Sequence, residues 1–141
     1  MKHAYIEPYL KDVMRNLGVM AHYCINEYGL TAEQYSTLFA HSHVAEQIVK
    51  GNPRYLTGMS GREMADRLME ASGKDISKFT CSETYYVSPE YWAGWVMAYY
   101  QWYTAKSFMQ MYVDGKSYNK FLMMYHPMHE ADITKVIEMV E

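Results

Sequence analysis

Six histidines, two cysteines and a scatter of carboxylates are the residues in this chain whose chemistry reaches beyond packing. Metal binding is the first chemistry to test. His41 and His43 stand two apart, and helical residues so spaced point to different sides, so they do not chelate one ion together. His126-Pro127-Met128-His129-Glu130 gathers two imidazoles and a carboxylate, but the i, i+4 pairing of a zinc-protease helix is missing and Pro127 interrupts the backbone. The simpler expectation there is a helix-starting loop in which His129 or Glu130 satisfies backbone groups. Cys24 and Cys81 lie far apart and neither belongs to a C-x-x-C pair, which points to ordinary thiols in a reducing, cytoplasmic compartment. No metal and no cofactor is expected.

Covalent and phosphate chemistry fare no better. No serine stands in a nucleophile-elbow context. Gly58-Met59-Ser60-Gly61 is glycine-rich but lacks the lysine and preceding strand of a phosphate-binding loop. Glu83, Glu90, Glu130 and Asp132 would have to pair across the fold to act as acid and base. The sequence therefore names no catalytic residue, and enzyme is the minority expectation. A formal charge of −3 argues against a domain-wide nucleic-acid footprint. Locally, Lys50, Arg54, Arg62, Arg67, Lys74 and Lys78 outnumber the acids, and Tyr55 to Met69 loosely resembles a helix–turn–helix. Yet Glu63, Asp66 and Glu70 on the supposed recognition helix would repel phosphates.

What remains is aromatic. Fifteen tyrosines, thirteen methionines and three tryptophans outweigh the aliphatic residues, a bias that suits a helical core with an amphipathic rim, or a contact surface. The run Tyr91 to Tyr103 concentrates it. At 100° per residue, Trp92, Trp95, Val96, Tyr99, Trp102 and Tyr103 share one broad face, with Gly94, Ala98, Gln101 and Ala105 nearly opposite. A stripe of small residues lets another helix approach closely. Tyr91, Trp92, Trp95, Tyr99, Tyr100, Trp102 and Tyr103 are the binding-surface candidates, and Tyr100, with Tyr91 if the first turn is open, is expected to reach solvent most. The stretch from Tyr91 to Val113 is broken by Gln101, Thr104, Lys106 and Gln110, so it reads as protein core rather than a membrane span. The first eight residues carry no apolar run of the secretory-leader type.

These residues need helices to position them. Pro8 opens a helix with Val13, Met14, Leu17, Met20, Ala21, Cys24 and Ile25 at helical spacing, and Gly29 closes it. Thr31-Ala32-Glu33-Gln34 and Ser60-Gly61-Arg62-Glu63 have the form of capping boxes. Ser42 caps a short continuation that Gly51-Asn52-Pro53 stops. Lys74 to Val87 lacks a sustained period. Within it Thr84-Tyr85-Tyr86-Val87 favours extended structure, and Lys74 to Thr84 is expected to be least ordered. Ser88-Pro89-Glu90 is the strongest start signal, opening a helix that should run unbroken to about Tyr112. Ser117 caps a short helix, and a last one follows Pro127 with Ile133, Val136, Ile137 and Val140 as its stripe. The expectation is an all-α fold, one helical domain over 1–141, with about six helices around a central aromatic-rich helix at about 88–113.

Gly51-Asn52-Pro53-Arg54-Tyr55-Leu56-Thr57-Gly58-Met59-Ser60-Gly61, Ser88-Pro89-Glu90-Tyr91-Trp92-Ala93-Gly94-Trp95 with Ala98-Tyr99-Tyr100-Gln101-Trp102-Tyr103, and His129-Glu130-Ala131-Asp132-Ile133 resemble words of an uncharacterised family of small bacterial proteins, mainly from gut anaerobes. The resemblance covers most of the chain from about Leu10, and the tyrosine–tryptophan block is its most specific part. It carries no activity and no catalytic residues. It implies gene neighbourhoods with an ADP-ribosyltransferase-like protein and a second very small protein, similar to toxin–antitoxin modules, and so an antitoxin-like or accessory role.

The leading expectation is a non-enzymatic protein-interaction module whose partner is a neighbouring gene product or a second copy, with no nucleic acid and no membrane. A small-molecule or nucleotide-derivative binder, or an enzyme, with a pocket beside Trp92, Trp95 and Tyr99 is the second. A DNA-binding regulator using the Arg62–Arg67 helix is the third.

Overall fold

A computed structural model of the chain describes residues 2–74 and 87–141. Pro8 sits in a single 3₁₀ turn, Glu7–Tyr9, which leads without a break into α1, Leu10–His22. The last turn of that helix widens into a π segment, Tyr23–Glu27, before Gly29 takes the left-handed conformation at φ 77°. Then come α2 (Ala32–Ala40), α3 (His43–Val49), α4 (Pro53–Leu56), α5 (Gly61–Ala71), α6 (Pro89–Thr104), α7 (Phe108–Val113), α8 (Tyr118–Met123), α9 (Tyr125–Met128) and α10 (Ile133–Val140). The all-α expectation holds, and no strand occurs among the described residues. The extended structure expected near Thr84 to Tyr86, with Lys78, Cys81 and Glu83, falls outside the described residues. Among those described, no helix is long and apolar enough to cross a membrane.

Capping chemistry explains most of these boundaries. The Thr31 hydroxyl accepts the Gln34 N–H while the Gln34 side chain accepts the Thr31 N–H, a complete capping box. Ser42, Ser60, Ser88 and Ser107 each accept a backbone N–H three residues on.

Two boundaries differ from the sequence expectation. The aromatic helix does not run to Tyr112. It ends at Thr104, where Ala105 adopts a left-handed φ of 58°, and Ser107 caps a separate α7. Gln101 stabilises the break by donating its side-chain amide to the Lys106 carbonyl at 2.8 Å. Likewise, Pro127 does not open the final helix. It lies inside the short α9, and Asp132 caps α10 by accepting the Thr134 N–H at 3.2 Å. Such local polar interruptions are why ten α-helices stand among the described residues where about six were expected.

The centre of the structure is the crossing of α1 and α6, with α5 also packed on α1 and α8 against α6. Gly94 makes that crossing possible. A Cβ there would collide with the Leu17 carbonyl, whose carbon would lie at 2.8 Å, and would lie 3.1 Å from the Gly18 Cα. Backbone meets backbone. Gly61 plays the same part for α5, where a Cβ would strike the Asn16 carbonyl oxygen at 2.5 Å. Helix α1 is therefore approached closely from two sides, and Val13, Leu17, Met20 and Ala21 are wholly buried between them.

Around this crossing the core is unusually phenolic. Tyr35 packs edge-on against Tyr118 with centroids 4.8 Å apart, and Tyr118 donates to the Glu90 carbonyl at 2.9 Å. Burial pushes both phenols well above their usual range, with Cys24 adding to the effect on each, and burial likewise raises the Cys24 thiol. Tyr28 donates to Asp66, tying the end of the π segment to α5.

Two measurements follow from this core. Gly94→Ala should cost about 3 kcal/mol, lowering Tm by roughly 10 °C, because its obstacle is backbone. Gly18→Ala should cost less, since the nearest atoms its Cβ meets belong to a side chain, the Tyr91 ring, at 2.9 Å. Calorimetric melting of the two variants should preserve that order. Alkaline titration makes the second case. With Tyr35 and Tyr118 raised in the folded state, their contribution is complete below the unfolded phenol value of about 10 and is lost as pH climbs beyond it. Stability measured by denaturant should fall from about pH 10 upward, and the tyrosinate absorbance of these two rings should appear only on unfolding.

Candidate functional site

Helix α6 starts from a well-made N-terminus. The Ser88 hydroxyl accepts the Tyr91 N–H at 3.0 Å and shares a second hydrogen bond with His22 Nδ1 at 2.9 Å, so the helix start is fastened to the end of α1. From there Tyr91, Trp95, Tyr99 and Tyr103 recur every four residues and form one row. All four are half-buried. Trp92 and Trp102 are buried at 7% and 5% exposure, so they shape the row from below rather than offering themselves to a partner.

The rings differ in what holds them. Tyr91 lies across Gly18 of α1, where burial raises its phenol while the nearby Arg15 opposes the shift. Trp92 packs edge-on against Tyr125 of α9 at 5.7 Å. Trp102 donates its indole N–H to the Tyr5 carbonyl at 2.8 Å and stacks under the His3 ring at 3.9 Å. Its own carbonyl accepts the Ala4 N–H at 3.0 Å, so residues 3 to 5 form a strap over the end of α6. Tyr99 and Tyr103 present rings within 14° of parallel, with centroids 6.2 Å apart.

Tyr99 and Tyr103 also wall a cleft of about 320 Å³ against α10, completed by Thr134, Ile137, Glu138 and Glu141. Burial raises the Tyr99 phenol first, and then the charges of Tyr103, Glu7 and Asp132 act in the same direction. The carboxylates of Glu7 and Asp132 thus stand near the same ring. The phenol stays neutral and the cleft carries a negative rim.

Sequence reasoning and structure disagree about one ring above all. Tyr100, expected to be among the most exposed, is 0% exposed: it packs on Phe121 at 5.7 Å with the Lys116 ammonium 5.9 Å from its ring. Its position on α6 points it toward α8, which the helical wheel alone does not reveal. The small-residue stripe also ends early, because Ala105 is the exposed left-handed cap and Gln101 is buried at the break. Of the three residues expected to flank a pocket, Trp92, Trp95 and Tyr99, it is Tyr99 that lines a cleft, together with Tyr103 and α10. His3, Tyr5, Glu7, Glu138 and Glu141 were not singled out from sequence. Only the apolar stripe of α10 gave a signal, and its wall residue Ile137 belongs to it.

The histidine groups are separately occupied. His129 stacks on Tyr125 at 4.3 Å, and its Nδ1 lies 2.7 Å from the Tyr125 carbonyl. His41 uses Nδ1 on the Thr37 carbonyl at 2.8 Å and meets Tyr112 edge-on, while His43 leans on Tyr55. His41 and His43 do share a broader groove of about 600 Å³ with Arg67 and Glu70, open between α2, α3 and α5.

Comparison with known protein families, with curated proteins and with solved structures gives no match. The site therefore rests on its own geometry.

Trp102 links the strap to the helix, and replacing it exposes that link. Trp102→Phe leaves the Tyr5 carbonyl without its donor and should cost about 2 kcal/mol. Limited proteolysis should then cut near Tyr5 and Tyr9 at least severalfold faster than in the parent.

Proposed function

We propose that this protein is a non-enzymatic interaction module that binds another protein through the ring row of α6, and that the partner is a toxin-like enzyme which it neutralises or assists in the cytoplasm. The observation carrying this reading is the row itself. Trp95, Tyr99 and Tyr103 are held by a well-capped helix yet remain only half-buried. Rigid aromatic anchors that still carry accessible area are the residues most enriched at binding hot spots. They lose little conformational entropy on binding, since the helix has already fixed them.

Methionine supplies the adaptable part of the surface. Met109, Met123 and Met139 are exposed at 37%, 75% and 66%, and Ile6, one residue beyond the strap, is exposed at 63%. Flexible thioether side chains accommodate a partner's irregularities without demanding a single geometry. The specific role, antitoxin-like or accessory, comes from the resemblance of the tyrosine–tryptophan block rather than from residue chemistry.

The experiment is co-expression of the tagged chain with its neighbouring gene products. A stable complex is expected, and Trp95→Ala and Tyr103→Ala should each weaken it by about 2 kcal/mol, roughly thirtyfold in Kd, while melting close to the parent. Recovery of a complex indifferent to both substitutions would remove the ring row from the interface.

A further inference from the structure

The cleft between the end of α6 and α10 has a charge pattern that a merely aromatic contact does not require. Glu138 and Glu141 line it, and the charges of Glu7 and Asp132 reach the Tyr99 phenol. Asp132 is occupied in capping α10 through the Thr134 N–H and hydroxyl. Glu7, Glu138 and Glu141 take part in no ion pair among the described residues. Negative charge therefore accumulates next to two phenol rings whose faces are themselves electron-rich. An anionic ligand would be repelled from both.

A cation is attracted twice, by the ring faces and by the carboxylates. The apolar wall at Ile137 suits the methylene stem of a long basic side chain, which packs along carbon while its head stays with charge. A cleft of about 320 Å³ holds one or two such side chains. Guanidinium fits better than ammonium here, because it lies flat on an aromatic face and forks onto a carboxylate. Trp95 stands one helical turn from Tyr99 along the same row, so a chain entering the cleft continues onto aromatic surface.

We infer that this cleft docks an arginine-bearing segment of the partner protein, with the guanidinium between the Tyr99–Tyr103 rings and the Glu138 and Glu141 carboxylates. The inference rests on the interaction reading and adds the chemistry of the partner.

The probe is an end-blocked tetra-arginine peptide, titrated calorimetrically against the full chain at low salt, with the tetra-citrulline peptide as its uncharged isostere. The arginine peptide should bind about tenfold tighter or more, weaken as salt is raised, and lose about fivefold in the doubly substituted E138Q/E141Q chain, as expected for partly exposed charge pairs. Equal binding of the two peptides, or binding unchanged in E138Q/E141Q, overturns the inference. Spermine binding as tightly as the peptide overturns the assignment to a protein segment. Salt-sensitive dimerisation lost in E138Q/E141Q gives the cleft to a second copy and overturns it also. Failure here is distinct from failure of the interaction reading: a co-expressed partner lost with Trp95→Ala but retained with E138Q/E141Q sinks the arginine inference alone. Peptide binding with no recoverable partner sinks the interaction reading and upholds the cleft's chemistry.

Discussion

The approach of the α6 backbone to the α1 backbone at Gly94 governs the rest of the structure. Where two helices touch through side chains, they can slide or rotate by an ångström and repack. Where a glycine lies against the Leu17 carbonyl, with no room even for a methyl group, rotation and height are both set. Every other side chain of α6 takes its direction from that contact. Ala98, one turn further on, is also buried, and Tyr100 is carried into the core toward Phe121. The row of Trp95, Tyr99 and Tyr103 is correspondingly turned outward.

A second constraint acts at the far end of the helix. Trp102 is anchored through its indole N–H, its ring face and its backbone carbonyl, all by residues 3 to 5. That strap brings the chain's beginning beside Tyr99 and delivers Glu7 to the same neighbourhood. The α10 helix supplies Glu138 and Glu141 from the opposite direction. Three segments distant in sequence thus converge on one pair of rings, and the electrostatic character of the cleft belongs to none of them alone.

Those relations explain what was legible in the sequence. Serine and threonine caps act on donors two or three residues away, so Thr31, Ser42, Ser60 and Ser88 could be read directly, and the all-α class with them. The π segment after His22 and the break at Ala105 could not. Nothing in an alanine marks a left-handed residue, and the break depends on Gln101 finding the Lys106 carbonyl. At the site, Trp95, Tyr99 and Tyr103 were visible as parts of one helical face, but that face also took in the buried Trp92, Val96 and Trp102, because periodicity does not say which side meets a neighbour. Tyr100 shows the cost of that gap. The close approach suggested by Gly94 was correct, whereas the acidic rim depends on contacts across the whole chain and had no local signature.

Which rings of α6 meet solvent in the free protein decides whether the row can serve as a surface. Hydroxyl-radical footprinting read residue by residue by mass spectrometry measures this directly. Trp95, Tyr99 and Tyr103 should label readily while Tyr35, Tyr100 and Tyr118 stay protected until the protein unfolds. Rapid labelling of Tyr100, or protection of Tyr99 and Tyr103 equal to that of the core phenols, would contradict the orientation of α6 and the surface drawn from it.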